Sequence, residues 1–221
     1  MPVDHRAKLI FVHIPKTAGT SIEQALGLNG DWRYETRDTL FGRVTDPCLL
    51  SRGLSTNFLQ HLRLKEIQSC FDCSDYEIFT VVRDPWTRFL SSFRRKDPDL
   101  CSYINWRVGF DLSDFSLSEY LGIARWAKHP HFNSQVSFLK SLDRSISLQD
   151  GLRGLNIFRF EKLEVLEAWL SDKYNSHVKF ERHQKPEIPL PNISVYERLQ
   201  LQEQVFELYR HDYRAFGYTI N

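Results

Sequence analysis

An α/β fold, built as a P-loop-like parallel sheet with helices on both faces, is predicted by three features of this 221-residue sequence. Short apolar runs recur along it. Each run is cut off by a loop bearing proline or charge, and each loop is followed by a helix-forming stretch. Runs that are apolar at nearly every position read as strands buried on both faces, and strands separated by helices pair in parallel.

The first run, Leu9 to Ile14 (LIFVHI), ends at Pro15, and helix signals follow over Ser21 to Leu28. The second, Tyr76 to Val82 (YEIFTVV), breaks at Arg83-Asp84-Pro85 before a helix from Trp86 to Arg95, with Pro85 at a permitted early position. The third, Leu155 to Phe160, leads into a helix from Glu161 to Tyr174. The spacing also predicts an amphipathic helix over Asn57 to Phe71. A long final helix presents Leu201, Val205, Leu208, Tyr209, Tyr213 and Phe216 as one apolar stripe. Two stretches, 30–56 and 98–118, read as irregular insertions. With no repeat, low-complexity tract or linker, residues 1–221 are read as a single domain. A chain of this length buries roughly 70% of its unfolded surface and needs no disulfide or metal to hold it.

Charge narrows the function classes. The 29 basic and 28 acidic side chains nearly cancel, which argues against a general nucleic-acid binder, so any anion must be held by a local cluster. Cys48, Cys70, Cys73 and Cys101 are sparse; the C-x-x-C of Cys70 and Cys73 lacks a second pair for zinc and reads as ordinary reduced thiols. No stretch approaches the ~20 apolar residues of a membrane span, and Met1 to Lys8 is polar, so a soluble, cytoplasmic protein is expected.

The segment richest in chemistry follows the first strand: Phe11-Val-His-Ile-Pro-Lys-Thr-Ala-Gly-Thr-Ser-Ile22. A loop between strand and helix aims backbone N–H groups at one point, where a helix dipole also favours an anion. Lys16 adds a positive charge, Thr17, Thr20 and Ser21 add hydroxyls, and Gly19, after Ala18, allows close backbone approach. A Walker A loop would place its lysine directly before the hydroxyl residue at the loop's end; here Lys16 stands at the start, where it can reach an oxygen bridging a 5′-phosphate and a transferred group. Arg83, where a parallel strand ends, can grip a second phosphate with two parallel hydrogen bonds, and Ser91, two turns into the next helix, can add a third.

HIPKTAGTS resembles the 5′-phosphosulfate loop of the PAPS-dependent sulfotransferases (PAPS is 3′-phosphoadenosine-5′-phosphosulfate), in the form of the heparan sulfate 2-O-sulfotransferases and their bacterial relatives. VRDPWTRFLSS, with Arg83 and Ser91, resembles that family's second signature, and FNSQVSFL (132–139), FRFEKL (158–163) and 209–218 extend the likeness. The resemblance implies PAPS as donor, no metal, and a hydroxylated acceptor such as an oligo- or polysaccharide. It implies Lys16, Thr17, Ala18, Gly19, Thr20, Ser21, Arg83 and Ser91 as nucleotide-binding residues, joined by Arg182, His183 and Lys185 in a basic loop. It also implies Lys16 and His61 as catalytic residues. His61 falls where family members carry Gly-His or His-x-His, with Gln60 in place of the glycine and Phe58 in place of the first histidine.

Among eight histidines, His13 reads as a packing residue beside the loop, and His131 with Gln135 are candidates for the acceptor cleft. Glu23 and Asp84 are fallback bases. Two readings of other classes stay open: a metal-dependent P-loop kinase or hydrolase, and a non-catalytic nucleotide-binding protein.

Overall fold

The structure, a computed structural model, describes residues 2–47, 51, 53–70, 72–112, 115–143, 147–181 and 192–220. In chain order the regular elements are β1 (Val3–Asp4), β2 (Leu9–Val12), α1 (Gly19–Ala25), α2 (Leu64–Gln68), β3 (Glu77–Val82), α3 (Pro85–Arg95) and α4 (Pro98–Val108). They continue with α5 (Leu117–Trp126), α6 (Gln135–Phe138), α7 (Leu148–Arg153), β4 (Asn156–Arg159), α8 (Leu163–Tyr174) and α9 (Val195–Phe216). These elements fall into two compact units, Met1–Arg83 with Gln135–His183, and Asp84–Ser134 with Gln184–Asn221.

The first unit carries a sheet in the order β1-β2-β3-β4. The three predicted strands are present and parallel, with Phe11 opposite Phe79 and Val82 opposite Arg159. The α/β expectation is met, with one addition: β1 runs antiparallel to β2, pairing Val3 with Ile10. The polar start of the chain hides this strand because only two residues pair. Asp4 secures the turn that follows, its Oδ1 accepting from the Arg6 and Ala7 N–H groups at 2.9 and 3.0 Å. Every residue of β2 is buried, as is the last two-thirds of β3, which is why these runs lack polar alternation. Phe11, Ile22, Phe79 and Val81 pack with Leu166 and Leu170, one turn apart on α8. Burying each such side chain contributes about 1.5–3 kcal/mol.

The stretch 30–56 is less irregular than its composition suggests. Glu35 gathers it: the carboxylate accepts from the Thr45 and Asp46 N–H groups at 2.6 and 2.9 Å and from Arg37 Nε at 2.8 Å. Burial alone would raise the Glu35 pKa, yet these donors hold the carboxyl down at about 2. Gly42, at φ 89°, leaves no room for a side chain, because a Cβ would stand 1.7 Å from the Tyr34 carbonyl oxygen. Gln60 Oε1 accepts from the Gly42 N–H at 3.1 Å, and the Leu59 N–H bonds the Gly42 carbonyl at 2.9 Å. The segment leading to His61 is thereby fastened to this loop.

The predicted helix over 57–71 is only partly formed. Phe58 is extended, Leu59–His61 make one 3-10 turn, Leu62 and Arg63 are extended again, and α2 begins at Leu64. The amphipathic pattern is real: Leu59, Leu62, Leu64 and Ile67 are all buried. Tertiary packing uses those positions without one continuous helix.

In the second unit, Trp86, Phe89 and Phe93 of α3 pack with Tyr120 and Leu121 of α5 and Val205 and Tyr209 of α9. Asp84 caps α3, accepting from the Thr87 N–H at 2.9 Å, with Pro85 in the first turn. Arg88 is 2% exposed within this core; its Nη2 donates to the His131 carbonyl at 3.4 Å and its guanidinium lies 5.9 Å from the Tyr209 ring. Residues 98–118, expected to be irregular, contain α4 and the start of α5. The signals were present, an Asp97-Pro98 start and a Gly109 stop at φ 74°, but aromatic residues without helical spacing masked them.

Candidate active site

Three parallel strands end side by side, and residues just beyond them, Lys16, Arg83 and Phe160, meet at the same edge. After β2 the chain passes His13 and Pro15 into the lysine-bearing loop before α1. Lys16 and Ala18 both lie in the left-handed region, at φ 72° and 71°. For residues with a Cβ this costs roughly 1–3 kcal/mol each, a strain that concentrates at ligand-gripping loops. Left-handed residues alternating with others turn successive N–H groups to one side, forming a concavity suited to an anion. Because α1 has only seven residues, the loop backbone and Lys16 carry this argument more than the helix dipole does.

The loop's hydroxyls are not equivalent. Thr17 is fully buried and its Oγ1 donates to the Ile14 carbonyl at 2.8 Å, so its hydroxyl shapes the loop. Thr20 is exposed and Ser21 half-buried. Gly19 is buried for a reason sequence reasoning missed: a Cβ there would meet His13 Nε2 at 1.9 Å. The space a side chain would need is filled by the imidazole of His13.

That imidazole is the residue most underrated by the sequence. His13 Nδ1 lies 2.6 Å from Glu23 Oε1 on α1, with both side chains buried. Its ring meets the ring of His61 edge-on, centroids 4.5 Å apart at 66°. His61 Nδ1 in turn lies 3.3 Å from the His13 carbonyl oxygen. A carbonyl can only accept, so in this contact His61 Nδ1 is the donor. His61 therefore sits in a turn beside the loop, half-buried, and not on the polar face of a helix.

Arg83, the residue after β3, is held by Gln135. The Gln135 Oε1 accepts from the Arg83 N–H at 2.9 Å and its Nε2 donates to the Arg83 carbonyl at 2.8 Å. Gln135 is wholly buried and its amide works like a strand partner of Arg83. The Arg83 guanidinium stacks over the Phe160 ring at 4.0 Å and its Nη1 reaches the Lys16 carbonyl at 3.3 Å. The loops after β2, β3 and β4 thus meet through one arginine.

Of the remaining candidates, Ser91 is half-buried on α3 and His131 is buried, both in the second unit. His129, beside it, is pushed down to about 4 by burial. Asp84 is occupied as the α3 cap described above. Arg182, His183 and Lys185 lie outside the described residues. Cys70 and Cys73 are free thiols, and burial with the nearby Asp72 pushes Cys73 up to about 11, away from a reactive thiolate. Among the described residues, no group of three or more His, Cys, Asp or Glu is arranged to hold a metal ion, and no helix is long and apolar enough to cross a membrane.

A search of curated proteins gives no match. Residues 1–108, just under half of the chain, match the model of the sulfotransferase family. The matched residues include the Lys16 loop, His61, and Arg83 through Ser91.

Proposed function

We propose that this chain, whose residues 1–108 match the model of the sulfotransferase family, transfers a sulfuryl group from PAPS to a hydroxyl of a carbohydrate acceptor. The observation that carries this reading is the Arg83–Lys16 contact, which joins two anion-gripping loops at the ends of adjacent parallel strands. A donor with phosphates at two ends, 5′ and 3′, needs two such loops close together. When bound, PAPS supplies the activated sulfuryl group and a phosphate oxygen as leaving group.

The chain's own residues then divide the work. The Lys16 loop takes the 5′ end, with N–H groups of residues 16–21 and the Lys16 ammonium. Arg83 takes the 3′-phosphate; Ser91 joins it on the strength of the sequence signature, as do Arg182, His183 and Lys185. His61 Nε2 receives the acceptor's hydroxyl proton while the new sulfur–oxygen bond forms. Lys16 offsets the charge on the bridging oxygen as the old sulfur–oxygen bond breaks, and PAP (adenosine 3′,5′-bisphosphate) leaves with that electron pair.

The direct test is a thermal-shift comparison. PAP at 100 times its dissociation constant is expected to stabilise the protein by ~2.7 kcal/mol without magnesium. No shift with PAP, beside a clear shift with ATP and magnesium, would favour a P-loop kinase or hydrolase and defeat the proposal.

Arg83 gives a second expectation. Wild type should prefer PAP over AMP, and Arg83→Ala should weaken PAP by about ten- to a hundredfold, the worth of one charge-assisted contact of ~1.5–3 kcal/mol, while leaving AMP almost unchanged. Calorimetry with both nucleotides on both proteins measures this. Equal losses for AMP and PAP would put Arg83 at the 5′ end, where its bond to the Lys16 carbonyl already leads.

A further inference from the structure

We propose that Glu23 is a positioning residue, which clasps the imidazole of His13 across the phosphate loop and through it orients His61. The role given to His61 rests on the sulfotransferase reading; the clasp itself does not.

Glu23 sits on α1 and His13 just beyond β2, so their 2.6 Å contact closes the chain between them into a loop pinned at both ends. Inside that loop are the two left-handed residues, Lys16 and Ala18, whose conformation is unfavourable without such restraint. The clasped ring is held on three further sides. It stacks on Phe11 at 5.6 Å, fills the space beside Gly19, and meets the edge of His61 at 4.5 Å. The carbonyl of the same residue holds His61 Nδ1. One residue thus touches the phosphate loop with its ring and fixes the base with its ring and its backbone.

Plain packing is a poor account of this pair. Glu23 is 3% exposed, and burying a carboxylate costs several kcal/mol unless hydrogen bonds and charge repay it, whereas an apolar pair of similar volume would pack without that cost. What an apolar pair lacks is direction: a carboxylate facing Nδ1 selects one ring orientation and one tautomer.

Two substitutions separate positioning from the alternatives. Glu23→Ala removes the clasp and is expected to lower turnover by ~10–100-fold, the usual cost of a misplaced catalytic group, with a much smaller change in PAP affinity. Glu23→Gln keeps an oxygen that accepts from Nδ1–H and should recover most of that loss. If glutamine is as damaging as alanine, Glu23 acts through its charge or as a proton acceptor, and the positioning role is overturned. If neither substitution matters, the clasp is packing alone and the proposal fails.

A readout that needs no PAPS keeps this distinct from the sulfotransferase reading. Nitrogen-15 spectra of the histidine rings should show His61 protonated on Nδ1 in wild type and Glu23→Gln, with that signature lost or averaged in Glu23→Ala. A His61 spectrum indifferent to Glu23→Ala would overturn the clasp even if transfer activity is found. A protein that gives the expected spectra but neither binds PAP nor transfers sulfate would overturn the enzymatic reading and leave the clasp standing.

Discussion

Replacing His61 with alanine is expected to lower sulfuryl transfer by ~10²–10⁴-fold, the range set by general base catalysis, while leaving PAP affinity nearly intact. The separation follows from where the residue's contacts lie. His61 is tied to the His13 carbonyl through Nδ1, and on the proposed reading it is Nε2 that takes the acceptor's proton. Its substitution should therefore appear in turnover, with the donor's KM almost unmoved. In wild type the rate should also fall on the acid side, since a protonated His61 has no lone pair to offer at Nε2. Single-turnover measurements across pH, with PAP binding followed by calorimetry on the same samples, make the comparison. If His61→Ala keeps most of its activity and its acid limb, the proton acceptor is another group.

The second large effect belongs to Lys16. Lys16→Ala is expected to cost ~10²–10³ in turnover, as loss of one preorganised donor to developing charge does elsewhere, and much less in PAP affinity. Charge on the bridging oxygen grows as its bond to sulfur breaks, so an ammonium aimed there is worth more in the transition state than in the ground state. Alanine is the informative replacement because the backbone at position 16 is left-handed at φ 72°. It keeps the Cβ and so a similar conformational cost; glycine would relax the loop as well as remove the charge. A matched fall in rate and affinity would make Lys16 an anchor for the donor and nothing more.

How much of this was legible beforehand depends on the kind of information each part requires. The strands at 9–12, 77–82 and 156–159 announced themselves because burial on both faces removes polar residues from a short run, and composition alone reports that. Lys16 and Arg83 were legible because strand-end loops in a parallel sheet face one edge. Other features depend on the path the chain takes between elements. Nothing in Lys16 or Ala18 signals a positive φ, which residues with a Cβ seldom adopt. Without that path, the meeting of His13 and Glu23 across ten positions cannot be foreseen. Gly19 was read as a concession to an approaching phosphate; its nearest neighbour is the ring of His13. Gln135 was read as a candidate for the acceptor cleft, and the bonds its amide makes to the backbone of Arg83 depend on the fold and could not be read from the sequence.

The fit of the His13 ring against Gly19 also limits how this protein can be re-engineered. The ring occupies the volume of an absent methyl group, with its far side against His61 and one nitrogen on Glu23. Positions 13, 19, 23 and 61 therefore form one packed unit although they are scattered over nearly fifty residues. A donor loop transplanted from another scaffold would arrive with its own residue at position 19. Any side chain there, even a methyl, evicts the imidazole and displaces the base with it. Loop exchange in this fold is a four-position operation, since positions 13, 19, 23 and 61 must be accommodated together.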